Sequence, residues 1–150
     1  MSDAWTQWLT SLAAEPLGTI LHLGAGQGGL LDPILNSQAA RIVLVEPAHA
    51  EAAALTRRSA ADERVTVLPV AVSAETGRAA MHRLNMAALS SLRAPDGLQA
   101  LFPGLRETAS IEVDTLSVAD LLEQVPLPED QPNLLILDTP GEEMTVLKGL

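Results

Sequence analysis

Short apolar runs and helical stripes alternate along the chain, and they predict the order of its elements. Thr19–Leu23 is an apolar run long enough for a buried strand. Arg41-Ile-Val-Leu-Val-Glu46 is the clearest strand, with a continuous β-branched and Leu interior that suits a parallel strand covered on both faces. Val65–Val72 predicts a third strand, with Pro69 inside it marking an edge or a bulge. Asn133-Leu-Leu-Ile-Leu-Asp138 predicts a further buried strand. Between these lie helical patterns. Leu30, Leu31, Ile34 and Leu35 form a stripe, Ala-rich 48–59 has Leu55 facing inward, and Ser117–Val125 opens on a capping serine. A last helix begins at Glu142. At the N-terminus, Trp5, Trp8, Leu9 and Leu12 share one helical face over residues 3–14, which predicts that the tryptophans pack this helix onto the sheet. Residues 79–84 and 111–115 have short strand character and can pair with each other. The stretch 85–110 between them reads as a long loop with one helical turn.

Strands alternating with helices predict an α/β fold, a Rossmann-like, mainly parallel sheet with helices on both faces. The 150 residues fit one domain, read as the N-terminal helix 3–14 followed by a cofactor-binding core over 19–150.

The glycines after the first strand carry the candidate chemistry. His-Leu-Gly-Ala-Gly-Gln-Gly-Gly (22–29) makes a strand, a glycine turn and a helix start, the opening half of a βαβ unit that lets a ligand approach the backbone closely. Its bland alternative is a tight βα turn with no ligand. Glu46 ends the second strand, 22 residues after Gly24, where a carboxylate can accept ribose hydroxyls; otherwise it is an exposed strand end. Asp138 ends another strand on the same sheet edge, and its plain alternative is a cap for the following helix. Gly24, Gly26, Gly28, Glu46 and Asp138 are thus expected to face one cleft. Gly24-x-Gly26-x-x-Gly29 also satisfies the dinucleotide fingerprint, so spacing leaves NAD and S-adenosylmethionine both open.

Charge and composition narrow the partners. Nine basic residues against nineteen acidic ones give a net charge of −10, which argues against nucleic acid; Arg57-Arg58 is too small a basic patch. The chain has no cysteine, so disulfides and thiolate metal sites are excluded and no metal is expected. No apolar run approaches the ~20 residues of a membrane span, and the N-terminus lacks a signal-peptide core, so no membrane partner is expected and the cytoplasm is the default location.

An ordered set of segments resembles the class I S-adenosylmethionine-dependent methyltransferases and, within them, the FkbM-type family. His22–Gly28 resembles the first cofactor loop, and Val45-Glu46-Pro47 the Glu-Pro after strand two. Val67–Val72 resembles the third strand, and Leu89-Ser-Ser-Leu92 the Ser-Ser-Leu segment. Val113–Leu116 through Asp120-Leu-Leu122, and Leu137–Glu143 through Val146-Leu-Lys-Gly149, resemble the later signatures. The resemblance implies that Gly24, Ala25, Gly26 and Gly28 wrap the methionine and ribose part of S-adenosylmethionine. It implies that Glu46, followed by Pro47, holds the ribose, that Ala71 lines the adenine, and that Asp138 sits near the methyl group as the best candidate base. Members typically methylate hydroxyls of sugars or secondary metabolites, so the implied substrate is a small molecule.

Three departures stand out. His22 replaces the acid that helps hold the cofactor's amino end; a neutral imidazole would lose that charge contact, and His22 reads instead as a hydrogen-bonded strand-end residue or a base. Gly26 replaces the usual Asn. Pro140 replaces a Glu beside the expected reaction centre, with Glu142 and Glu143 close by in sequence. Gly26 only returns the loop to the general methyltransferase form, whereas His22, Pro140 and the early stop favour the alternative of a non-catalytic methyltransferase-like module in a larger assembly; an NAD-dependent oxidoreductase is weaker. Class I methyltransferases normally continue with further strands beyond the one ending at Asp138. The chain is therefore expected to be a fragment or an abbreviated domain, truncated after the fourth core strand, with a sheet edge that takes a further domain or protein partner.

Overall fold

The computed structural model describes residues 7, 8, 10, 11 and 14–150. Of the expected N-terminal helix, Gln7, Trp8, Thr10 and Ser11 are helical, and the rest, Trp5 included, lies outside the described residues. Trp8 is 50% exposed, so it does not pack into the core as its helical face predicts.

Four parallel strands make the central sheet: β1 (Leu17–Leu23), β2 (Ala39–Val45), β3 (Val65–Leu68) and β7 (Leu134–Leu137), in the order β3-β2-β1-β7. β1 is buried at every position because it lies between two neighbours and under helices on both faces. Its side chains alternate. Ile20 packs with Ile42, Leu44 and Ile136 under α1 (Leu31–Leu35) and α2 (His49–Ser59). Leu21 and Leu23 pack with Val43 and Val45 against α4 (Val118–Gln124) and α5 (Glu143–Gly149). This is the α/β architecture that the alternation of patterns predicts. α5 leaves Met144 and Leu147 exposed, as is Leu150 just beyond it.

The expected third strand, 65–72, is two strands in two sheets. Pro69 has no N–H to continue the ladder, so the chain leaves β3 after Leu68 and re-forms as β4 (Ala71–Ser73). β4 pairs in parallel with β6 (Glu107–Ser117), and β6 pairs antiparallel with β5 (Gly77–Leu84), giving a second sheet in the order β4-β6-β5. The pairing of 79–84 with 111–115 is as expected, but both strands are longer. Between them, the stretch read as a loop holds a 3₁₀ turn (Ala87–Leu89) and α3 (Leu98–Leu101). His82 exchanges backbone hydrogen bonds with Ser91 (2.8 and 3.1 Å), which lays Ser90–Leu92 along the outer side of β5. As predicted, Ser117 caps α4: its Oγ accepts the Asp120 N–H at 3.1 Å.

Candidate functional site

The C-terminal ends of β1, β2 and β7 open into one cleft of about 280 Å³, where doubly wound sheets bind ligands. Its floor is the glycine turn after β1, flanked by Glu46 and Pro47 after β2 and by Asp138–Pro140 after β7. The second sheet and its strap, with Ala71, Met81, Arg83 and Ser90–Leu92, close the other side. Of the residues expected to meet here, Gly24, Ala25, Gly26, Glu46, Pro47, Ala71 and Asp138 line the cleft; His22 and Gly28 do not.

The glycines turn out to have different reasons for being glycine. At Gly24 (φ +80°) an added Cβ would lie 1.9 Å from the Asp138 carbonyl oxygen, so this residue lets β7 approach the turn. At Gly28 (φ +76°) a Cβ would meet Leu55 and Arg58, so this glycine seats α2 rather than a ligand. Gly26 (φ +55°) and Gly29 both line the cleft and have room for a Cβ, but only Gly26 of the two is left-handed: its nearest neighbour to a Cβ is 4.0 Å away. Its bare backbone is a cradle that a side chain would fill, and it fits an adenosyl ligand lying against the turn.

Glu46 is not an exposed strand end. It is 5% exposed, and both its oxygens are engaged: Oε2 accepts the Gly26 N–H at 2.7 Å and Oε1 accepts the Ala48 N–H at 2.9 Å. Burial pushes its carboxyl up, and these two N–H bonds pull it back. Asp138 is not a helix cap either, since α5 begins at Glu143 with Glu142 in the cap position. Its N–H bonds the Leu23 carbonyl at 2.9 Å and holds the two strand ends together. Burial, and then the neighbouring Glu143, raise its carboxyl above the ordinary range.

His22 lies in register between Leu44 and Ile136, 3% exposed, on the side of β1 that faces the core under α1 and α2. Nε2 has no hydrogen-bond partner, and burial lowers its pKa to about 4. It is therefore a neutral core residue, not a hydrogen-bonded strand-end residue or a cleft contact. The strand alternation that puts Leu21 and Leu23 on one face puts His22 on the other.

Sequence reasoning missed Glu51 and Arg83, and it named the Ser90–Leu92 segment without placing it at the cleft. Arg83 on β5 bonds Glu51 in the first turn of α2 at 2.5 Å, and this pairing holds Glu51 low and Arg83 high. Glu51 lies five residues after Glu46 at the start of α2, a signal that could have placed it at the same crevice; nothing in the sequence marks Arg83. Ser91 donates through Oγ to the Pro140 carbonyl, and Arg93 Nε bonds Glu142 Oε1 at 2.8 Å, tying the strap to the turn after β7. Glu142 lines the cleft, whereas Glu143 accepts the Gly141 N–H at 2.9 Å.

The family model for the methyltransferase FkbM domain matches residues 30–150. The chain belongs to the FkbM methyltransferase family. Among solved structures it is similar to the crystal structure of the methyltransferase FkbM from Methylobacillus flagellatus KT, at 19% identity and a TM-score of 0.53, over 90% of this chain and 29% of that one. That likeness is one of fold. This FkbM domain thus spans less than a third of the length of the protein it resembles. None of the curated proteins matches it. No described helix is long and apolar enough to cross a membrane.

Proposed function

We propose that this FkbM domain, read as a single unit over its 150 residues, binds S-adenosylmethionine in the cleft and transfers its methyl group to a hydroxyl of a small molecule or sugar. The observation that carries this reading is the Glu46 clamp. Its carboxylate takes the Gly26 N–H inside the glycine turn, so this N–H is not offered to a phosphate. The cleft lining also contains four carboxylates (Glu46, Glu51, Asp138, Glu142) and one guanidinium, Arg83, already bonded to Glu51. α1 starts only at Leu31, beyond the turn, and is five residues long. A pyrophosphate would meet negative charge and little dipole, which disfavours NAD. An adenosyl ligand without phosphate suits the site.

When bound, S-adenosylmethionine supplies a methyl group activated by the adjacent sulfonium. Gly26 and Glu46 hold the donor, with Glu46 keeping acceptor capacity for ribose hydroxyls beyond its two backbone bonds. Ala71, Val72 and Met81 give the cleft its apolar wall. Asp138 takes the proton from the acceptor hydroxyl as its oxygen attacks. Burial and Glu143 make it a better base than an ordinary carboxylate. Holding donor and acceptor in line is the larger part of the rate gain in such a displacement.

Calorimetric titration with S-adenosylmethionine, S-adenosylhomocysteine and NAD tests the binding, followed by transfer of labelled methyl to a panel of hydroxyl compounds. Micromolar binding of both adenosyl ligands and methylated product are expected; binding of NAD alone overturns the reading. Donor binding without transfer to any acceptor favours the second reading, a non-catalytic module. The observation behind that second reading is Pro140, which places no ionisable group at its point in the cleft wall.

A further inference from the structure

We propose that Arg93 is the latch of a gate into the cleft: the Arg93–Glu142 pair holds the strap against the turn after β7, and release of the pair opens the cleft to an outer groove. The proposal concerns access, and it holds for whatever ligand the cleft takes. The strap travels with the second sheet. His82 and Ser91 exchange two backbone hydrogen bonds, Ser90 Oγ accepts the Leu84 N–H at 3.0 Å, and Leu92 packs against the cluster of Ala71, Met81 and Val113. The β4 end of that sheet is fixed, because Val72 packs in the core with Val43, Val45 and Val146. Its strap end meets the turn after β7 at a seam, and among the described residues no backbone hydrogen bond crosses that seam. Only side chains do. Ser91 Oγ donates to the Pro140 carbonyl, and Arg93 Nε reaches both the Gly141 carbonyl at 3.1 Å and Glu142 Oε1 at 2.8 Å. Gly141 (φ +84°) permits this approach, since an added Cβ would lie 3.1 Å from Arg93 Cγ.

The pair is unequal, and that makes it a latch. The Glu142 side chain is 9% exposed and the Arg93 side chain 61%. Among the described residues no other side-chain hydrogen bond or ion pair reaches the Glu142 carboxylate. A buried carboxylate that loses its partner carries an uncompensated desolvation cost, and it escapes that cost by reaching water. The seam is where water can reach it. Glu142 and Leu92 line both the cleft and the outer groove, which Ser73, Ala79 and Thr145 also line. Parting the strap from the turn there joins the two spaces. The exposed guanidinium is the half that lets go, because a solvent-facing partner exchanges its ion pair for water at little cost.

The chain has no cysteine, so one introduced thiol reports access without interference. Ala71→Cys places it in the cleft lining at a buried position, and Ala39→Cys, buried at the start of β2 and outside the cleft lining, reports global opening. Iodoacetamide, small and uncharged, is the probe; mass spectrometry follows the labelling, and circular dichroism checks each fold. Labelling tracks the population of the open form when opening and reclosing are fast. We expect Arg93→Ala to speed labelling of the Ala71→Cys thiol at least ~5-fold and to leave the Ala39→Cys rate within about twofold. Adding Glu142→Gln to Arg93→Ala takes away the buried charge and is expected to bring the rate back to within about twofold of the native background. Hydrogen exchange of the chain without an introduced thiol gives a second reading: Arg93→Ala speeds exchange at Arg93 and Glu142 and spares β1 and β2. Equal labelling with and without Arg93→Ala, or unchanged exchange at the seam, overturns the gate. Acceleration at both thiols overturns it too, because Arg93 would then support the whole fold. Failure of Glu142→Gln to restore the rate overturns the latch. Absence of adenosyl binding overturns the proposed function instead, since none of these readouts uses an adenosyl ligand.

Discussion

Replacing Glu46 separates a carboxylate that builds the site from one that merely decorates a strand end. In Glu46→Ala the N–H groups of Gly26 and Ala48 lose their acceptors, at 2.7 and 2.9 Å, in a place that is 5% exposed. Hydrogen bonds to a charged group contribute roughly 1.5–3 kcal/mol each. Against this stands the relief of the buried charge, since burial is the main force raising the Glu46 carboxyl. The net loss is then about 2–4 kcal/mol, which lowers Tm by roughly 5–12 °C for a chain of this size. Glu46→Gln keeps one acceptor. Whichever way round the amide sits, its NH₂ faces one of the two N–H donors, so about half the loss is expected. Urea and thermal unfolding followed by circular dichroism give both values. Titration with S-adenosylmethionine, well below each variant's Tm, then reports the site, and binding at least ~10-fold weaker is expected in the folded Ala variant. A Tm for Glu46→Ala within a degree of the native chain would refute the clamp and return Glu46 to an exposed strand end.

Gly24→Ala and Gly26→Ala should part company. The first puts a Cβ 1.9 Å from the Asp138 carbonyl at φ +80° and is expected to cost more than ~3 kcal/mol or prevent folding; the second costs about 1–2 kcal/mol of left-handed strain and weakens adenosyl binding more than it weakens the fold, as chemical denaturation and titration will read. His22 has its pKa lowered to about 4, so its contribution to stability is complete above the unfolded value of 6.5 and is lost as pH falls through 6.5 toward 4, by roughly 3 kcal/mol; His22→Leu should flatten urea-unfolding stability over that window relative to the native chain, and parallel profiles would count against the burial. Ser117→Ala removes the α4 cap and is expected to cost about 1 kcal/mol with no change in ligand binding, which makes it the control for stability loss away from the cleft.

The elements that were legible in the sequence are those whose burial is decided locally. β1 and β2 show their apolar runs because central parallel strands are covered on both faces, β7 is a short apolar run at the end of the strand order, and α2 shows its length through Ala, Leu55 and its terminal arginines. β6 was legible only in its middle. Glu107, Thr108 and Ser110 at its start are polar, all of 107–110 is exposed, and these residues become strand because β5 is there to pair with them, not because of a pattern of their own. Pro69 gave the break but not its consequence, since nothing local says that Ala71–Ser73 will pair with Thr115–Ser117 more than forty residues later.

The candidate site divides along the same line. Gly24, Gly26, Glu46 and Asp138 were found because strand ends in such a sheet converge, and topology alone brings them together. His22 and Gly28 enter through the glycine motif and its resemblance to a cofactor loop, and a motif is silent about direction: one residue before a strand end points His22 into the core, and two residues after Gly26 the turn has already become the seat of α2. Glu51, Arg83, Ser91 and Glu142 come from four separate segments and meet only through tertiary structure. Their arrangement decides the chemistry. The spacing of the glycines admits a dinucleotide and an adenosyl ligand equally. On the proposed function, a turn whose Gly26 N–H is held by a carboxylate, in a cleft whose lining arginine, Arg83, is already paired with Glu51, favours the adenosyl ligand. On that reading the ligand class is written less in the glycine motif than in the charges folded around it, and a substitution of Glu51 that unpairs Arg83 should let anions bind the cleft before it disturbs the sheet.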